Sequence, residues 1–329
     1  MKSPFTGKEM KVVYEKRTWN FRGEEYAYTH AAWLCADTNE LFTTDEMDDS
    51  GFLQVTNQYR AKYGIPYTDE IVSVRERYGL SAARMSLILG IGTNQWRLYE
   101  SGEVPSVSNG RMIRSIMDPS AFLCYVHSSR HLLDKKEYKK LSARIEEIAE
   151  ITERRGEEHY ALSRIFQCER GEENGFAPQS LERLKNVLLY MINRLGEVFC
   201  TKMNKLLFYA DFLSYRQNGM SITGLSYKAL EYGPVPERWD RVYSQFDEVI
   251  QEPRCFKEKE GTVLVSDKIA DMSLFTEGEL MLLDEVCTKF ADYSSSEISD
   301  ISHEEKAWLE CNDGHKRIPF RYAFDLKAI

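Results

Sequence analysis

Apolar and polar positions change rhythm several times along this chain. In KVVYEKRTW (11–19) and EEYAYTHAAW (24–33) they alternate, a period of two that predicts the strands of a small β region. From 45 to 63 the rhythm becomes helical and stops near Gly64 and Pro66. Helix punctuation then divides residues 67–117. Thr68 is the expected N-cap ahead of Asp69 and Glu70, and Gly79 ends that helix. Ser81 caps a second helix that stops at Gly90; Thr93 caps a third running to about Ser101, which Gly102 ends. A fourth covers Asn109 to Met117, before Pro119.

The next segment holds DKKEYKKLSARIEEIAEITERR, a charged helix on which Tyr138, Leu141, Ile145 and Ile148 draw one apolar stripe. The stripe is too short for a coiled coil, which leaves packing on a neighbouring domain and a dimer seam both open. The polar, glycine-bearing loop ERGEENGFAPQS marks a boundary near 169–180. Beyond it, Leu181, Leu184, Val187, Leu188, Met191, Ile192 and Leu195 share one helical face. TKMNKLLFYADFLSYRQNG (201–219) is apolar nearly all round, the pattern of a buried central helix. A short strand LSYKALEY, a rigid turn GPVP, a helix from about Glu237, a charged hairpin RCFKEKEGTVLVS and helices at 276–292 and 296–311 complete the chain. The pattern predicts a multidomain α+β fold, mainly α: a β module at 1–66, a helical domain at 67–117, a helical linker at 118–179 and an α-rich domain at 180–329.

Composition narrows the classes. Of 329 residues, 43% are hydrophobic, enough apolar surface to bury and so an argument against wholesale disorder. No apolar run approaches the roughly 18 to 20 residues of a membrane span, and the first residues lack a signal peptide's apolar segment. The seven cysteines are scattered without close pairs, which points to reduced thiols in a cytoplasm. The net charge is -9, unevenly spread. Residues 71–117 carry six arginines against three acids, the only positive stretch.

GLSAARMSLILGIGTNQWRLYESG (79–102) lies in that stretch. Leu80, Met85, Ile88, Leu89, Ile91, Trp96 and Tyr99 are spaced for three short helices to share a core. The stretch resembles the Xre/Cro type of helix-turn-helix. The resemblance implies a recognition helix beginning at Thr93 and presenting Asn94, Gln95 and Arg97 to base edges, with operator DNA as partner. The family often places Gln after the second helix's cap; here that residue is Ala82. Phosphate contacts are therefore expected from Arg75, Arg84, Arg97, Arg111 or Arg114, with a homodimer supplying affinity.

A small β module ahead of such a domain resembles the MqsA/YgiT antitoxins, whose N-terminal domain holds zinc in two CxxCG knuckles. Here these read Ser3-Pro4-Phe5-Thr6-Gly7 and Cys35-Ala36-Asp37-Thr38-Asn39. A tetrahedral zinc site needs four ligands and only Cys35 remains, so the fold is expected without metal. Val12, Val13, Tyr14, Trp19, Phe21, Tyr26, Tyr28 and Trp33 are expected to form an aromatic mini-core instead. Asn94, Tyr99 and Glu100 match that family's recognition helix, whereas Leu98 stands where an arginine is expected.

MNKLLFYADFLSYRQNGMSITGLSYKALEYGPVPERW (203–239) and ISHEEKAW (301–308) resemble, in order, two motifs of the SocA-like, or Panacea, antitoxin domain. The resemblance implies direct binding of a cognate toxin protein by residues 180–329. Tyr209, Tyr215, Tyr227, Tyr232 and Trp239 are the candidate contacts, since exposed Tyr and Trp anchor interfaces, although core packing is the commoner role for any one of them. Asp211, inside the apolar helix, reads as a partnered structural acid. Catalysis is not expected. His303-Glu304-Glu305 lacks the second histidine of a zinc protease, Gly90 and Gly92 do not follow a strand, and Cys124, His127 and His131 lack a fourth ligand. No cofactor and no membrane partner is expected. The whole reads as a cytoplasmic antitoxin that represses its own operon. A regulator without a toxin and a proteolytic adaptor are the alternatives.

Overall fold

The computed structural model describes residues 1–154, 156–256 and 259–329. It is 54% helical and 15% strand, the mixed and mainly helical fold that the pattern predicts. Two compact units emerge: residues 1–55 together with 161–329, and residues 56–160.

At the N-terminus, β1 (Lys11–Phe21) and β2 (Glu24–Leu34) form an antiparallel hairpin with Lys11 opposite Leu34 and Phe21 opposite Glu24. Its two-residue turn, Arg22-Gly23, has positive φ at both positions, the geometry that matches the twist of paired strands. β3 (Leu41–Phe42) adds to the other edge of β2, and α1 (Asp45–Tyr63) follows. The expected aromatic mini-core is largely absent. Of its eight residues only Tyr26 is buried, while Tyr14 and Trp19 are each 38% exposed. A three-stranded sheet this small cannot enclose its own rings, so they pack outward on other elements. Trp19 and Phe21 meet Phe52 of α1 at 5.8 and 6.5 Å, and Tyr14 meets Phe324 at 5.6 Å.

The second unit contains α2 (Thr68–Tyr78), α3 (Ala82–Leu89), α4 (Gln95–Glu100), α5 (Val107–Ser115), α6 (Pro119–Ser128) and α7 (Lys135–Arg154). One core joins them all, built on Tyr78, Ile88, Trp96, Ile113, Phe122 and Ile145. The stripe on α7 enters it through Leu141 and Ile145, with Tyr138 and Ile148 packed alongside. Residues 118–154 are thus part of this unit's core, where the pattern had suggested a linker. Helix starts differ in detail. Tyr67, not Thr68, is the N-cap of α2, because the Glu70 carboxylate accepts the Tyr67 N–H at 2.8 Å. Ser106 caps α5, which begins at Val107, two residues before the expected Asn109, whose N–H the Ser106 hydroxyl accepts at 3.2 Å.

The chain continues through α8 (Gly156–Ile165), α9 (Leu181–Leu195), β4 (Val198–Phe199), α10 (Cys200–Asn218), β5 (Tyr227–Leu230), β6 (Gly233–Pro236), α11 (Trp239–Ser244), β7 (Ile250–Phe256), β8 (Lys259–Val265), α12 (Glu277–Phe290), α13 (Ser295–His303) and α14 (Lys306–Cys311). As its apolar girth predicts, α10 is the central helix, with both faces buried from Met203 to Tyr215. Strands β4, β8 and β7 form one sheet, and β5 pairs with β6 in another. GPVP is therefore strand rather than turn. Gly233 pairs with Leu230 and Pro236 with Tyr227, leaving Glu231-Tyr232 as the turn. The helix expected at 296–311 is split, since Glu305 takes an extended ψ of 134° and caps α14. The loop at 169–180 is packed, not loose: Asn174 and Phe176 are fully buried, and the Asn174 amide donates to the carbonyls of Ala177 and Gly224.

Candidate functional site

Two places gather the residues that the sequence singles out. In the first, Ser81 caps α3 by accepting the Arg84 N–H at 3.2 Å, and Gly90 ends it with a φ of 68°. A Cβ on Gly90 would meet nothing within 4 Å, so backbone conformation alone asks for glycine there. Helix α4 begins at Gln95 rather than near Thr93. The reason is a side chain from α3: the buried Ser86 hydroxyl accepts the Trp96 N–H at 3.1 Å, taking over the role expected of Thr93. Trp96 and Tyr99 face the core; Thr93, Asn94, Arg97 and Leu98 are exposed. Gln95 is half-buried, and its amide donates to Glu103 at 3.0 Å.

The arginines are less available than their number suggests. Arg75 Nε donates to Glu100 Oε1 at 2.5 Å, and the same oxygen accepts the Trp96 indole N–H at 2.8 Å. Arg75 thereby ties α2 to α4. Arg84 pairs with Glu137 of α7, and Arg114 with Glu70 of α2. Arg97 and Arg111 form no ion pair among the described residues.

The second place is the centre of α10. Asp211 is fully buried, which pushes its carboxyl pKa up, while four donors oppose that: the N–H groups of Ile222 and Thr223 at 2.8 Å, the Thr223 hydroxyl and the Tyr227 hydroxyl at 2.6 Å. It is the partnered structural acid expected, and it pins the segment that leads into β5. Tyr209 stacks on Phe290 of α12 at 4.7 Å and donates its hydroxyl to Glu305 at 3.3 Å. Glu305 in turn accepts the backbone N–H groups of Lys327 and Ala328, each at 3.0 Å. Glu237 is buried, which would raise its carboxyl pKa, but hydrogen bonds from Ser226, Lys228 and Arg317 outweigh burial and hold it low.

This packing corrects the candidate contact set. Tyr209 and Tyr227 are fully buried and Tyr215 nearly so, because they fill the space between α10, the β5–β6 hairpin and the chain end. Tyr232, at the hairpin turn, is 65% exposed, and Trp239, at the start of α11, is 38% exposed. Only these two of the five face solvent. Lys205, Glu237 and Glu305 went unmarked by the sequence reading. For Lys205 the available signal was a charged residue inside an otherwise apolar helix, the same signal that marked Asp211, whereas Glu237 and Glu305 lie between elements and carry no such signal.

The knuckle-like stretches also meet. The Cys35 thiol donates to the Ser3 hydroxyl at 3.2 Å and lies 3.9 Å from that of Thr6. Hydrogen bonds from Ser3 first, then Thr38, lower the thiol pKa to about 6. The two turns share one backbone pattern. Ser3 C=O accepts Gly7 N–H and Ser3 N–H donates to Lys8 C=O; Cys35 C=O accepts Asn39 N–H and Cys35 N–H donates to Glu40 C=O. Among the described residues no group of three or more His, Cys, Asp or Glu is placed to hold a metal ion, Cys124, His127 and His131 included. Nor is any helix long and apolar enough to cross a membrane.

Residues 203–309 match the family described as antitoxin SocA-like, Panacea domain. The match takes in Asp211, the β5–β6 hairpin, Glu237 and Glu305. No curated protein and no solved structure matches the chain.

Proposed function

We propose that this chain is an antitoxin whose C-terminal domain, residues 180–329, binds and neutralises a cognate toxin protein. The observation that carries this reading is the match of residues 203–309 to the SocA-like antitoxin family. Within the matched stretch, α10 packs against α13, two segments far apart in sequence. Tyr232 and Trp239 are the anchors for the toxin, since each couples a large ring to an exposed position.

In the same reading, α3 and α4 are the helix-turn-helix through which the chain binds operator DNA and represses its operon as a cytoplasmic homodimer. Supporting this, the turn at Gly90 leads into a helix whose apolar side is locked by Trp96 and Tyr99 while Asn94 and Arg97 face outward. Asn suits adenine and Arg suits guanine. With Arg75 and Arg84 held in internal ion pairs, Arg97 and Arg111 carry the phosphate and base contacts. The N-terminal module is a metal-free relative of the zinc ribbon, its paired turns joined by hydrogen bonds to Cys35.

Co-expression with the product of the neighbouring gene tests the first half. The neighbour alone should arrest growth, the full chain should relieve the arrest, and Tyr232→Ala with Trp239→Ala should weaken relief. A harmless neighbour, or arrest that the full chain leaves in place, refutes the reading. For the second half, Asn94→Ala with Arg97→Ala should cost at least tenfold in selectivity for the upstream operator over random duplex. Unchanged selectivity would remove α4 from the DNA interface.

A further inference from the structure

Three segments of the C-terminal domain converge on one buried amine. Lys205 lies on α10 and is fully buried. Its Nζ has no hydrogen-bond partner among the described residues, and neither has the buried Nε2 of His303 at the end of α13. Gly233, the first residue of β6, forms the third side. A Cβ there would come within 2.7 Å of Lys205 Cε and 2.3 Å of the Ser302 hydroxyl. Glycine at this position, with a φ of 99°, is what leaves room for the lysine's end.

A buried ammonium with no acceptor is costly, and an anion that meets it offsets that cost. The elements packed on this part of α10 supply no counter-ion. Burial alone lowers the Lys205 pKa to about 7, and no carboxylate acts on it. His303, also lowered by burial and by the charge of Lys205, faces it from α13; Asp300 and a hydrogen bond to the Glu231 backbone act on His303 only. Both nitrogens thus lack a shared acceptor. His303 is half-exposed, and its ring lies against Trp308 at a centroid distance of 4.2 Å, so it lies between the amine and the surface. The Glu231-Tyr232 turn, exposed, lies next to Gly233.

The geometry points to a carboxylate-binding site formed by Lys205 and His303 beside the β5–β6 turn. A carboxylate accepts from the Lys205 ammonium through one oxygen and, through the other, from Nε2–H of a His303 ring that takes up a proton as the anion binds, its other nitrogen being held by the Glu231 backbone. Two sources carry that group: a free small carboxylate, or an acidic side chain of a protein partner pressing on Tyr232. The second source rests on the antitoxin reading; the site itself does not.

Thermal melting and calorimetric titration of the full chain test it with two probes, acetate and a terminally blocked Gly-Glu-Gly peptide, against chloride at equal ionic strength. At pH 6.5 at least one carboxylate should bind saturably and raise the melting temperature. Affinity should fall at least tenfold by pH 8.5, as Lys205 loses its proton. Lys205→Met, close in volume, should abolish the effect, and His303→Phe should weaken it. Binding of acetate but not peptide assigns the site to a small carboxylate; binding of the peptide assigns it to a partner's side chain. No saturable response to either probe, or an equal response in Lys205→Met, overturns the site. Growth relief by the full chain is read separately, so either idea can fail without the other.

Discussion

Lys205 and Asp211 are six residues apart on one helix and equally buried, yet their surroundings treat them oppositely. Asp211 has four donors and holds the β5 segment in place; Lys205 has no acceptor. The consequence is a pH dependence of stability with a defined sign. The folded-state pKa of Lys205, about 7, lies below its ordinary 10.5, so the unfolded chain binds more protons between those values. Stability should therefore rise with pH across that window, by up to about 1.4 kcal/mol per unit, and fall again as pH drops towards 7. Urea denaturation at pH 7, 8, 9 and 10 would measure it. Lys205→Met should flatten the rise and be more stable than the parent at pH 7; an unchanged slope would mean that the amine is compensated.

At the scale of elements, two glycines with positive φ do different work. Gly90 joins α3 to α4 in open space, so Gly90→Ala should cost only the backbone conformation, about 1 kcal/mol. Gly233 opens β6 against Ser302 and Lys205, so Gly233→Ala adds a clash to the same backbone term and should cost about 3 kcal/mol. Denaturant midpoints of the two variants would separate conformation from crowding. Equal losses would show that the space around Gly233 is not tight. The helix starts teach a related point. Ser81 caps its own helix and is legible from local sequence, whereas the start of α4 depends on Ser86 from the preceding helix.

For the molecule as a whole, the compact units do not follow the composition breaks. The loop at 169–180 reads as a boundary because it is polar and rich in glycine, yet Phe176 and Asn174 are buried within the C-terminal core. A fragment beginning at 180 leaves the Phe176 site empty and should be less stable than one beginning at 161 by about 4 kcal/mol, the cost of emptying a phenylalanine site. Comparing the urea midpoints of residues 161–329 and 180–329 checks this. Equal midpoints would make the loop a true boundary.

Periodicity, helix stops at Gly79 and Gly90, and the all-round apolar character of 201–219 were enough to predict several of the helices, the central helix and the mixed fold. These are local properties, set by steric preferences and by which face a segment can bury. That Arg97 faces outward from α4 could be read from the sequence for the same reason. What the tertiary structure alone decided was which charges and rings are free. It locked Arg75 and Arg84 into ion pairs, buried Tyr209, Tyr215 and Tyr227, paired GPVP as a strand, drew 118–154 into the helical core and left Lys205 without an acceptor. Apart from the β5–β6 hairpin, each of these depends on a partner distant in sequence. Hydrogen bonds and burial are properties of pairs brought together by folding, which no local window of residues contains.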